Sequence, residues 1–359
     1  MSRQSSPVAY KIPPRYGSTG LPEPDPVVHE LLHHYTTHLP SLYASSPSKS
    51  ETLPSFYSTM IRHAQEHPYV HHALLTFSAL HIASLTANAE QHQNPPPHLV
   101  IALSQKALAI ERFRPVVESV TAETCEPALA ASGLLTACAF ALPLAGAPFD
   151  VVDQLAQITS LFQGTTTLFR MGWRKPRPLV SDAAPKVRPS VLLSAVNEKS
   201  WPQAEHAVDQ VLRVIMTIDE RHQSTRGRKD VLVDAALKLK IAFRRVAAAR
   251  GAYAVAAIWL GMVSSAFVDR VRERDSLALV LMADWSVSLK DVQHVWWSRG
   301  WAERTVNAVS RELGEHELYL LNWALVAVNE NCNQPHELQP VKYENYTIHN
   351  PPTKKGKTT

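Results

Sequence analysis

Six of the chain's eight tryptophans, Trp259, Trp285, Trp296, Trp297, Trp301 and Trp323, fall between Gly251 and Val328. An indole buries a large apolar surface and keeps an N–H that needs an acceptor, so this density demands an extensive interior with placed polar edges. Apolar residues recur between the tryptophans at helical spacing. Leu277, Val280, Leu281, Asp284 and Trp285 share one face, and Ala302, Thr305, Val306, Val309 and Leu313 share another. The charges Asp269, Arg270, Arg272, Glu273, Arg274 and Asp275 fall between two such runs, as a solvated connection would. Periodicity makes this stretch a helical core hairpin. A ligand chamber is the second reading that the same residues allow.

The rest of the composition points the same way. Of 359 residues 45% are hydrophobic and 19% charged, which supplies a large core and excludes a disordered chain. Glycine is scarce, at 12, alternating β-branched runs are hard to find, and Ala and Leu abound, so the expected fold is all-α: a large multi-helix domain. A net charge of +4 demands no extended phosphate-binding face. Three widely separated cysteines, Cys125, Cys138 and Cys332, form neither a disulfide framework nor a zinc site. The polar N-terminus lacks the apolar segment of a signal peptide. Residues 127–149 carry no charge and are long enough to cross a bilayer, but their Ala, Ser, Thr and Gly content reads as a buried core helix without membrane insertion.

Prolines punctuate the order of elements. Residues 1–25 read as a linker, helices follow from Pro26, Pro54 and Pro68, and Pro95–Pro97 break the chain before a long amphipathic helix over 99–120. The uncharged helix and another over 151–171 come next. Residues 173–189 form a basic, Pro-rich loop that either crosses one large domain or joins lobes at 26–172 and 190–330. Helices resume near Trp201, and 331–359 read as a polar tail.

One resemblance emerges from this order. An aliphatic helix with Trp259, a charged turn, ALVLMADWSVSL (278–289), WWSRGWA (296–302) and Leu321-x-Trp323 resemble the end of the fungal-specific transcription factor domain. The version meant is that of zinc-cluster regulators similar to sterol-uptake control proteins. LLHHYTTH (31–38), HPYVHHALLTFSALHIASL (67–85) and DQLAQITSLFQGTTTLFR (153–170) follow the family's order upstream. The resemblance spans about residues 26–328. It implies an all-helical regulatory, ligand-binding domain in a nuclear protein, or one cytoplasmic until activated. The family's DNA reader needs six closely spaced cysteines, and no cysteine precedes Cys125. No DNA-binding residue is therefore carried over, and the chain is expected not to bind specific DNA alone.

Chemistry-bearing motifs are few. Histidine is abundant, at 17, and His34 and His38 stand one helical turn apart, but no HExxH, cysteine partner or flanking carboxylate pattern accompanies them. They read as satisfied histidines rather than metal ligands. Nucleophile-elbow, phosphate-loop and dinucleotide signatures are all missing, so no catalytic residue, metal or cofactor is assigned. The expected function is ligand-responsive control of metabolic genes. Alternatives are an interaction protein that pairs with a full-length regulator or with itself, and a helical enzyme of unrecognised site. The expected ligand is a hydrophobic, sterol-like molecule beside Trp259, Met262, Met282, Trp285, Trp296 and Trp301. Gly261 and Gly300 sit where alanine would favour a helix by about 1 kcal/mol, a cost tolerable where a backbone or ligand approaches closely.

Overall fold

The computed structural model describes residues 25–38, 53–86, 96–173, 200–219, 227–248 and 253–330. No strand occurs among them, and the fold is all-α. Helices run α1 Pro26–Thr37, α2 Leu53–Glu66, α3 Pro68–Thr86, α4 Pro97–Glu118, α5 Cys125–Ala141 and α6 Val151–Trp173. They continue with α7 Pro202–Met216, α8 Arg228–Ala248, a single turn α9 Tyr253–Ala256, α10 Ser265–Arg272, α11 Ser276–Ser286, α12 Trp301–Glu312 and α13 Asn322–Asn329. Short 3₁₀ turns fill the gaps at 142–145, 258–261, 287–292, 296–298 and 318–321. The basic loop beyond Trp173, the N-terminal linker before Asp25 and the tail after Glu330 lie outside the described residues.

Local chemistry explains where these helices start. Proline occupies a first-turn position of α1, α4 and α7, where its missing N–H costs nothing. Asp25 caps α1 by accepting from the Val27 amide at 3.0 Å. Ser264 caps α10 through the Phe267 amide at 3.2 Å. Asp275 caps α11 through the amides of Leu277 and Ala278. Placing Asp275 in a solvated connection therefore needs correction. Its side chain is only 6% exposed and is held in a two-point ion pair by Arg228, a residue 47 positions away. Sequence spacing cannot show a partner that distant.

Two helices serve as hubs. α3 is buried nearly all round and packs on α1, α2, α4 and α5. α11 is buried at every position from Leu277 to Ser286 and packs on α7, α8, α10, α12 and α13. Both lack a polar stripe, as a helix enclosed on all sides should. α6 joins the two groups by packing on α5, α10 and α12. One buried cluster includes residues from Leu31 through Val328. α5, which carries no charge after Glu126, is mostly enclosed by neighbouring helices, although with the 3₁₀ turn that follows it is long and apolar enough to suit a membrane span.

Candidate functional site

Trp259, Trp285 and Trp301 are fully buried, and each indole donates to a backbone carbonyl of another element at 2.9 Å. Trp259 reaches Ala235 of α8, Trp285 reaches Ala256 of α9, and Trp301 reaches Phe140 of α5. Ala256 also accepts from the Ser288 hydroxyl at 3.3 Å. The structure brings Trp259 and Trp285 together, with ring centroids 6.1 Å apart, and Phe267 stands edge-on to Trp259. Trp301 lies against Phe140 and Phe149 instead. Trp296 packs between Phe77 and His81, and its N–H has no hydrogen-bond partner in the described structure. Met282 is fully buried in α11, while Met262 is half-buried.

The two glycines of this region have distinct geometric reasons. A Cβ on Gly261 would collide with the Thr166 hydroxyl on α6, so that glycine lets a 3₁₀ turn touch a helix. Gly300 has φ of +69° at the N-cap of α12, a left-handed conformation that favours glycine. Close approach is the reason in the first case, and it is an approach of protein to protein.

Two clefts lie among the helices α1–α4. A cleft of about 470 Å³ opens where α1, α2, α3 and α4 meet. Leu32, Ile61, Ala64, Pro68 and Leu74 form its apolar wall, and Gln65, His71, His72 and Arg112 supply polar groups. His72 is positioned by Gln105, whose Oε1 lies 2.7 Å from Nδ1. Burial, then the neighbouring His72, pushes the His71 pKa down. The cleft thus carries a neutral imidazole beside an exposed guanidinium.

A second cleft, of about 320 Å³, is lined by Glu30, His33, His34, His38, Ile82, Leu85 and Thr86. Leu85 is 64% exposed at this mouth. His34 Nε2 and His81 Nδ1 are 2.8 Å apart, so one ring donates to the other. Burial is the main cause that lowers both to about 4, reinforced for His34 by His38 and for His81 by His34. Both rings are neutral near pH 7. His98 lies 3.3 Å from Glu30. Sequence spacing brought His34 and His38 together, but the contact with His81 joins helices 47 residues apart.

A family model, the fungal specific transcription factor domain, matches residues 30–190, a little under half of the chain. Every residue that lines the two clefts lies inside that range. The Trp-rich segment lies beyond it. No curated protein and no solved structure matches the chain.

Proposed function

We propose that this protein is a transcription-regulatory protein of the fungal zinc-cluster regulator class, acting in the nucleus through a helical domain that responds to a small apolar molecule. The family match over 30–190 supports the regulatory role. The single observation that carries the ligand reading is the cleft at the α1–α4 junction. Its volume of about 470 Å³ falls within the range of small-molecule sites, and its apolar wall with a few placed polar groups is the pattern such sites share. The favoured ligand class is a sterol-like or other apolar molecule with a polar or acidic end, that end facing His71 and Arg112. On this reading Trp259, Trp285 and Trp301 hold the scaffold, because their N–H groups are already satisfied by backbone. The regulatory role is tested by tethering the chain to an unrelated DNA reader and recording reporter output. A reporter that responds to the tethered chain and to apolar metabolites supports the reading, and one indifferent to both contradicts it.

A second reading has its own observation. Val100, Leu103, Ile110 and Val117 of α4 are 50%, 47%, 41% and 47% exposed, and they stand at the spacing of a helix-pairing seam. This face suits an amphipathic helix of another regulator or of a second copy. Light scattering of the purified chain, with Leu103→Glu and Ile110→Glu as a double variant, tests it. A complex that the double variant abolishes supports the reading, and a monomer at all concentrations contradicts self-pairing.

A further inference from the structure

Where α2 turns directly into α3, His63, Glu66 and His67 bring their ligand-capable atoms within 4.8 Å of one another. His63 and His67 are one helical turn apart, the spacing by which two imidazoles reach one point. His63 is only 4% exposed, and neither of its ring nitrogens has a hydrogen-bond partner in the described structure. Buried polar atoms are ordinarily satisfied, so an imidazole enclosed with both nitrogens open calls for a specific cause. Glu126, in the first turn of α5, places Oε1 3.7 Å from His63 Nε2. That separation is long for a hydrogen bond. It is close to the roughly 3.3 Å between two ligands that each sit about 2.0–2.1 Å from a tetrahedral zinc ion.

The geometry points to a binding site for a divalent transition-metal ion of the zinc class, held by His63, Glu66 and His67 with Glu126 as the fourth ligand. Two imidazoles with carboxylates suit zinc, nickel or copper and are poor partners for magnesium or calcium, which take oxygen ligands. His63 is the fixed member, because burial leaves its ring little freedom. Glu66 is exposed and His67 half-buried, so their side chains can rotate inward to close the shell. The ring of His67 is braced by Tyr69, 5.4 Å away. A bound ion would clip the end of α2, the start of α3 and the first turn of α5 together. The site stands independently of the ligand cleft, although Ile61, Ala64 and Gln65 of the cleft wall lie on the same helix.

The test is zinc titration of the chelator-stripped full chain against a chromogenic chelator, with cobalt(II) substitution read by visible absorption. The wild-type chain is expected to take up one ion with cobalt bands of four-coordinate nitrogen and oxygen ligation. Changing the accessible ligands together, Glu66→Gln with His67→Asn, should weaken binding at least about tenfold and remove the bands while the far-UV spectrum stays helical. Glu126→Gln serves as an independent variant on another helix and should weaken binding in the same direction. His34→Gln with His38→Gln should leave the affinity and bands in place. The proposal is overturned if the wild-type chain takes up no zinc, or if the Glu66/His67 and Glu126 variants bind as tightly as wild type. It is equally overturned if the His34/His38 variant is the one that loses the ion.

Discussion

The indole N–H of Trp301 donates to the Phe140 carbonyl at 2.9 Å, linking α12 to the last turn of α5 across 161 residues. The final carbonyls of a helix are acceptors that its own amides leave open, so this bond completes the end of α5 and positions α12 in one contact. Trp301→Phe keeps most of the packing and loses the donor, at an expected cost of about 1 kcal/mol. Trp301→Ala also opens a cavity and should cost about 3–5 kcal/mol. Chemical denaturation of the two variants against wild type separates these contributions.

Gly300 begins α12 with φ of +69°. Gly300→Ala places a Cβ in the left-handed region and should destabilise the fold by about 1–2 kcal/mol, against the ordinary preference of helices for alanine. A thermal melt that shows Gly300→Ala as stable as wild type would refute this account of the turn.

Asp284 lies fully buried on α11, and neither carboxylate oxygen has a hydrogen-bond partner in the described structure. Burial raises its pKa well above 3.8. The folded chain therefore holds a proton that the unfolded chain releases, and stability falls as pH rises from near 4 through the folded value. A single such group contributes a slope of about 1.4 kcal/mol per pH unit across that window. Asp284→Asn removes the slope and should be more stable than wild type at pH 7. Denaturant midpoints measured from pH 4 to pH 8 check both points.

His34 and His81 titrate with the opposite sign. Burial holds both near 4 in the folded chain, below the usual 6.5, so the unfolded chain takes up protons first as pH falls. Stability should decline between about pH 6.5 and pH 4 as the neutral pair is challenged. His81→Leu removes one partner of the bond, costs about 1 kcal/mol at pH 7, and flattens this acid limb. Melting temperatures of the variant and wild type across that range provide the comparison.

Helix starts were readable where prolines mark them: the helices expected from Pro26 and Pro68 begin there, the one expected over 99–120 begins two residues early at Pro97, and the one expected near Trp201 begins at Pro202. The inner face of α12 was readable from its spacing, and Ala302, Thr305, Val306 and Val309 are all buried. Long-range partners were not readable. Arg228 with Asp275, His34 with His81 and Trp301 with Phe140 each join residues at least 47 positions apart, and no periodicity encodes such pairs. The clefts stayed hidden for the same reason, since one forms where four helices leave space between them and the other between α1 and α3. The tryptophans of 251–328 are conspicuous in the sequence, whereas the larger cleft described here is walled by ordinary residues such as Ile61, Ala64 and Leu74. The His63 cluster escaped because its members straddle a helix junction and gain meaning only from burial.

The most direct test of the central claim is the melting temperature of the full chain titrated with sterols and apolar carboxylic acids, run beside Ile61→Trp. The larger side chain fills the cleft from a partly buried position at the edge of the core. A ligand that binds only the folded chain stabilises it by mass action, about 2.7 kcal/mol at a hundredfold excess over Kd. The account predicts a saturable rise for wild type with at least one ligand of this class and none for Ile61→Trp at an unchanged starting melting temperature. An equal rise in both proteins, or none in wild type across the panel, would contradict a ligand-responsive cleft between α1 and α4.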